Sequence, residues 1–319
     1  TMAILPIFGF NGSQIYTAEV TGLSKEKLHP KISGTAKRLF IIYLVMSFSG
    51  IAALWLAGMS PFDAVNHALS TVSTGGFSTK NTSIAYWHSP AIEWIIIVLM
   101  TGSAINLSLY YFLAVGNFRR FFKDEEMRTL IAIIVSTSAI IVFTQLIFWG
   151  FPLEDIGENV RGALFTVSSL ISTTGFYSVD YSGWISVAYM LLLLTFVGGS
   201  AGSTSGGVKV IRVLLVFKYC YYEFKRMVHP HAVFPVRYNG RAVKEEYITR
   251  MLAFILLYVI LSLFGAMILC ISGLGFEESI SSMVSCLGNV GPGLGHLGPL
   301  DNYQSLPAFA KWFMSFAML

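Results

Sequence analysis

Three short strings in this chain could bind a bare monovalent cation. They are "STGGFS" around Gly75, "TTGFYS" around Gly175 and "NVGPGL" around Gly291. None carries an acidic or basic side chain. Extended segments of this kind offer neutral oxygens, chiefly backbone carbonyls, and rings of carbonyls can replace the hydration shell of an ion such as K+. Glycine suits them because turning carbonyls to one side can require φ values that a Cβ forbids. Thr and Ser hydroxyls can bond neighbouring backbone. The candidate ion-binding residues are Ser73, Thr74 and Gly75, then Thr173, Thr174 and Gly175, then Asn289, Val290 and Gly291.

Other chemistries find little support. No Ser/His/Asp, Cys/His or paired-carboxylate arrangement stands in a catalytic context, so the chain does not read as an enzyme and no cofactor is expected. Cys220, Cys270 and Cys286 lack metal-type spacing and read as small apolar residues. His67 could sense pH or simply bond a neighbour, His296 follows the third string towards its outer mouth, and His229 and His231 read as solvated.

Something must position the strings. Each ends a short apolar stretch, in Ser60–Thr79, Asn159–Ser178 and Phe276–Gly295. Each stretch reads as a half-length helix, too short for a bilayer that needs about 20 apolar residues. Gly75, Gly175 and Gly291 line up in this reading, 100 and 116 residues apart. The repeating unit is span, re-entrant half-helix, glycine strand, span. Expected full spans are Ala36–Gly58, Ala91–Gly116, Thr129–Gly150 and Thr249–Ser272, with a last one opening at Asn302. The chain divides into 1–35, the end of a first unit and a connector; 36–128, a second; 129–248, a third; and 249–319, a fourth. Thr1–Tyr16 resembles the closing span of a unit, and the chain reads as part of a longer membrane protein.

Composition agrees. Of 319 residues, 55% are apolar and 12% charged, about half the charge that covers an ordinary soluble domain. The net charge of +4 hides an asymmetry: 18 of the 21 Lys and Arg fall in three connectors, which the positive-inside rule makes cytoplasmic. The other side carries nine acidic residues against Lys80, Arg161 and Lys311, a surface that attracts cations. Lipid is the expected surroundings, and no nucleic-acid partner is expected.

One span is interrupted. Trp184–Val197 meets a ten-residue run before Val208–Tyr222 resumes: Gly198, Gly199, Ser200, Ala201, Gly202, Ser203, Thr204, Ser205, Gly206 and Gly207. Irregular backbone at membrane depth is tolerated only inside protein or beside a water-filled cavity. The run fails as a phosphate-cradling loop, because Val208 separates Gly207 from Lys209. Its glycines suit either close helix packing or a loop that changes shape.

"ALSTVSTGGFST", "SSLISTTGF", "GNVGPGLG" and "FVGGSAGSTSGGVKV" together resemble the Trk/Ktr/HKT superfamily of potassium transporters, its bacterial TrkH branch above all. The resemblance covers the whole chain. It implies an all-α polytopic membrane protein of the bacterial inner membrane, with pseudo-fourfold repeats of M1, pore helix, filter and M2. It implies K+ as the transported ion, the nine residues above as filter, and the ten-residue run in the third M2 as an intramembrane gate. It implies a homodimer and cytoplasmic nucleotide-binding regulatory subunits of the TrkA kind, for which the long basic connector Lys218–Arg250 is the docking candidate. A Na+-permeable member of the superfamily and an ion-coupled secondary transporter stand as alternatives.

Overall fold

The computed structural model describes residues 32–148, 155–229 and 231–318. Thr1–Tyr16, and Lys25, Lys27 and Lys31 of the first connector, lie outside the described residues.

The described chain is helical apart from one small hairpin. α1 (Ile32–Leu56) leads to α2 (Pro61–Val72), then α3 (Pro90–Ala104) and α4 (Leu107–Ala114). α5 (Phe118–Lys123) precedes α6 (Glu125–Phe148), α7 (Ile156–Ile171), α8 (Ala188–Val197) and α9 (Val210–Val228). Strands β1 (Arg237–Tyr238) and β2 (Arg241–Ala242) pair antiparallel, and α10 (Glu245–Ile271), α11 (Phe276–Gly288) and α12 (Ala308–Ala317) complete the order.

Among the described residues, Lys37–Leu56, Glu125–Phe148 and Glu245–Ile271 are long and apolar enough to cross a membrane. They leave bulky apolar residues exposed, including Phe48 on α1, Phe143 on α6 and Phe264 on α10. Such faces suit lipid. α2, α7 and α11 have 12, 16 and 13 residues. At 1.5 Å per residue they reach roughly 18–24 Å, short of the ~30 Å hydrocarbon layer.

The start of α2 is written locally. Ser60 caps it by accepting the Asp63 amide at 3.1 Å, and Pro61 occupies the first turn, where its missing N–H costs nothing. α1 packs along α2, α6 along α7 and α10 along α11. α3 also packs on α7, and α8 on α11. The closing helix of one unit therefore supports the half-helix of the next, the relation expected of units turned about a shared axis.

The expected span Ala91–Gly116 is not one helix. α3 and α4 meet at Ile105–Asn106 with a bend of 100°. Asn106 restarts the chain by accepting the Ser108 amide at 2.8 Å. The bend leaves carbonyls at the end of α3 to be satisfied by something else. An apolar pattern counts residues and does not register this break, because Thr101, Gly102, Ser103, Asn106 and Ser108 interrupt the run without ending it.

Among the described residues, the second and third basic connectors lie together. The Arg38 guanidinium stacks on Tyr111 of α4, Lys218 pairs with Glu125, and Asn239 at the hairpin tip bonds Asp124. Burial and the acidic run Asp124–Glu126 push the Tyr238 phenol above its usual range. On the other side, Arg161 bonds Glu93 at 2.6 Å and Lys80 lies 3.9 Å from Asp63.

Candidate functional site

Each half-helix ends the same way. A left-handed residue closes each: Thr74 (φ +55°) after the cap Ser73, Thr173 (φ +56°) after the cap Ser172, and Asn289 (φ +54°), itself the cap of α11. Its amide donates three residues back, to Thr71, Leu170 and Cys286, each at 3.1 Å. The next amide donates five residues back: Gly75 to Ser70 at 2.7 Å, Thr174 to Ser169 at 3.0 Å, Val290 to Ser285 at 2.9 Å. This pair of bonds is a Schellman motif. It uses strand amides and helix carbonyls, leaving the strand's own carbonyls out of helix closure.

The repeat of this motif fixes the register, and it corrects the alignment of the first string. The positive-φ glycines that follow are Gly76 (φ +69°), Gly175 (φ +79°) and Gly291 (φ +111°). Gly76, and not Gly75, is therefore the partner of Gly175 and Gly291, which places the pairs 99 and 116 residues apart. Gly75 corresponds to Thr174 and Val290, while Ser73, the cap of α2, corresponds to Ser172, the cap of α7, and to Gly288, the last residue of α11. Two adjacent glycines made the sequence register ambiguous, and the backbone turn resolves it.

Successive strands touch at these glycines. A Cβ on Gly76 would overlap the Thr174 carbonyl oxygen, and one on Gly175 would overlap the Val290 carbonyl oxygen. Each glycine thus lets the neighbouring strand's carbonyl approach where no side chain fits. The third strand departs from the others after its glycine, where Pro292 stands in place of Phe77 and Phe176.

Three serines hold the strands and were missed in the sequence. Ser70 Oγ accepts the Phe77 amide at 2.7 Å, Ser169 Oγ donates to the Phe176 carbonyl at 2.6 Å, and Ser285 Oγ accepts the Gly291 amide at 3.0 Å. All three lie six residues before the positive-φ glycine. That spacing is the signal that finds them, once the register is right.

Behind the first strand, His67 Nε2 meets Ser78 Oγ at 2.9 Å and Nδ1 meets the Asp63 carbonyl at 2.8 Å. It is fully buried, so it braces the strand as a bonded neighbour. The bond from Thr79, with those of Ser60 and the nearby Lys80, holds the Asp63 carboxyl below its usual range against the opposing effect of burial. His296 is exposed beyond the third strand.

The run Gly198–Gly207 crosses directly under the three half-helix ends. Thr204 Oγ1 donates to the Val72 carbonyl at 2.9 Å, and Thr74 Oγ1 donates to the Thr204 carbonyl at 2.9 Å. The Gly206 amide donates to Thr173 Oγ1 at 2.7 Å. A Cβ on Gly206 would overlap the Gly288 carbonyl. The loop also fills the break between α3 and α4: Ser200 donates to the Ala104 carbonyl at 2.9 Å, Thr204 to Ser103 at 3.4 Å, and Leu107 to Gly202 at 3.1 Å. Two broken spans satisfy each other's backbone. Gly198, Gly202 and Gly207 take φ of +71°, +74° and +75°, and Lys209, just after the loop, takes +81° and bonds the Ser205 carbonyl.

Re-entrant half-helices repeated in one sense, each closed by a Schellman turn above a shared intramembrane loop, define a polytopic helical transport-type membrane protein. The chain belongs to the TrkH family of cation transport proteins, whose pattern matches residues 1–319. It is 36% identical over 322 residues to the Trk system potassium uptake protein TrkH of Salmonella typhimurium, covering 100% of this chain and 66% of that protein. It is 31% identical over 321 residues to the Trk system potassium uptake protein TrkG of Escherichia coli, covering 100% of this chain and 65% of that one. The crystal structure of the potassium transporter TrkH from Vibrio parahaemolyticus superposes with a TM-score of 0.86 at 33% identity, over 95% of this chain and 65% of that chain. The chain thus spans just under two thirds of the length of these relatives. The expected superfamily and the all-α polytopic fold both hold.

Proposed function

We propose that the protein takes up K+ across the bacterial inner membrane, through a pore whose filter is made of backbone carbonyls. The filter strands are Thr74–Gly76, Thr173–Gly175 and Asn289–Gly291, facing outward, with Ser73 as the cap beneath the first. The loop Gly198–Gly207 is the gate. The division into units at 36, 129 and 249 belongs to the same reading.

The observation that carries it is the approach of Gly76 to the Thr174 carbonyl and of Gly175 to the Val290 carbonyl. Carbonyls of successive strands then stand around one axis. The half-helices direct their C-terminal ends to the same place, and a helix C-terminus carries roughly half a negative charge, which favours a cation. The relatives' names as potassium uptake proteins support the choice of ion. Nucleotide-binding subunits of the TrkA kind would act at the basic face, and the protein would work as a homodimer.

The test is tracer flux of K+ against Na+ in proteoliposomes containing the full-length protein. Selective K+ flux that rises when Gly198–Gly207 is deleted supports the reading. Equal permeation of both ions would remove the filter assignment, and a folded deletion with unchanged flux would remove the gate.

One observation favours a second reading. The paired breaks at Ile105–Asn106 and Gly198–Gly207 are a device of ion-coupled secondary transporters. Against it, the three half-helices share one sense and one turn geometry, whereas such transporters invert their repeats. K+ uptake that collapses with the proton or Na+ gradient at fixed membrane potential would favour this second reading.

A further inference from the structure

Glu126 is a carboxylate in the first turn of α6, only 2% exposed, where an unpaired charge would be costly. Its Oε1 accepts the Ala201 amide at 2.7 Å. The side chain therefore reaches from α6 into the interruption and holds the loop by its backbone.

The two residues before Glu126 are tied elsewhere. The Glu125 amide donates to Asn239 Oδ1 at 2.9 Å, Asn239 Nδ2 donates to Asp124 Oδ2 at 2.8 Å, and Lys218 bridges Glu125 and the Arg237 carbonyl. Asn239 is the tip of the β1–β2 hairpin. A second link runs in parallel. Ala201 of the loop and Ile211 share one buried apolar cluster with Val236, Tyr238 and Val243, which frame the hairpin.

We infer that Glu126 is a positioning residue: with Asp124 and Glu125 it fastens the intramembrane loop to the β1–β2 hairpin, so that displacing the hairpin displaces the loop. This rests on the reading of Gly198–Gly207 as the gate. The bond to Ala201 is short and buried, so its loss shifts the loop's closed-to-open balance by about tenfold.

The test uses the full-length protein in proteoliposomes without cytoplasmic partners. Glu126→Ala should raise basal K+ flux about tenfold at an unchanged K+ to Na+ permeability ratio. Glu126→Gln keeps the acceptor oxygen and should restore most of the closure. In a protein lacking Gly198–Gly207, Glu126→Ala should add nothing. Asn239→Asp provides a variant that folds: the site is exposed, Asp tolerates its left-handed φ of +48°, and the new carboxylate repels Asp124. It should raise basal flux in the same direction. If the loop deletion raises flux while folded Glu126→Ala or Asn239→Asp leaves it at the wild-type level, the gate stands and the link falls. A permeability ratio that changes with Glu126→Ala also overturns it, because the strands and not the loop would have moved. A loop deletion without effect defeats the gate reading, and the link with it.

Discussion

Thr74 and Thr204, 130 residues apart in sequence, are joined where the first strand meets the loop: Thr74 Oγ1 lies 2.9 Å from the Thr204 carbonyl and donates to it. Thr204 Oγ1 returns a bond to the Val72 carbonyl at the end of the half-helix. The loop is thus tied to the helix end and to the turn that opens the strand. Thr204→Val keeps the shape and removes the hydroxyl bonds to Val72 and Ser103. Each is worth about 1 kcal/mol, so basal flux should rise several-fold with the K+ to Na+ ratio retained. Tracer flux with the two ions in competition measures both.

The one-residue shift in the first strand separates two neighbouring glycines. Gly75→Ala meets only the Phe77 ring and Ser73 Oγ, both at 3.3 Å, and Gly75 has no left-handed φ to strain. Gly76→Ala has both faults: φ of +69° and a Cβ on the Thr174 carbonyl oxygen. Gly76→Ala should abolish selective flux, while Gly75→Ala keeps most of it. Equal loss in the two variants would restore Gly75 as the partner of Gly175 and Gly291.

The serine clasps should matter in proportion to burial. Ser169 is 1% exposed and Ser70 9%. Ser169→Ala leaves the Phe176 carbonyl without its donor, a cost of about 1–3 kcal/mol, and Ser70→Ala should cost less. Both should lower the K+ to Na+ permeability ratio without raising basal flux, which separates them from Thr204→Val in one assay.

Much of this arrangement was legible in the residues, and the missing part has a physical cause. Half-helices, glycine strands and the interrupted span all depend on local composition, and they read directly. The second and third basic connectors touch through Asn239 and Asp124, and Arg38 at the start of α1 reaches Tyr111 of α4. What did not read was pairing across distance. Ile105–Asn106 breaks a span because Ser200, Thr204 and Gly202 stand ready to satisfy its backbone, and nothing near Asn106 announces partners a hundred residues away. The choice between Gly75 and Gly76 likewise lies in which carbonyl the Cα must pass.

The Glu93–Arg161 pair joins α3 to α7 at 2.6 Å, with side chains only 11% and 16% exposed. Removing Arg161 strands the Glu93 carboxylate, whereas Arg161 keeps Glu158 at 3.8 Å when Glu93 is lost. Arg161→Met should cost about 3–5 kcal/mol and Glu93→Gln less, and a double Glu93→Leu, Arg161→Met replacement should recover much of the larger loss. Thermal melting of the full-length protein in detergent gives the comparison. Additive losses in the double variant would show that the two side chains act independently.

The interlocking of the two broken spans bears on how the chain is made. Ser103 precedes its partner Thr204 by 101 residues. At about 5–20 residues per second, the ribosome needs roughly 5–20 s to supply that partner. Through this interval a bend at Ile105 would leave carbonyls bare in the bilayer, while an unbroken helix would satisfy them. The bend at Ile105 should therefore form late in biogenesis, once Thr204 and its loop have been made.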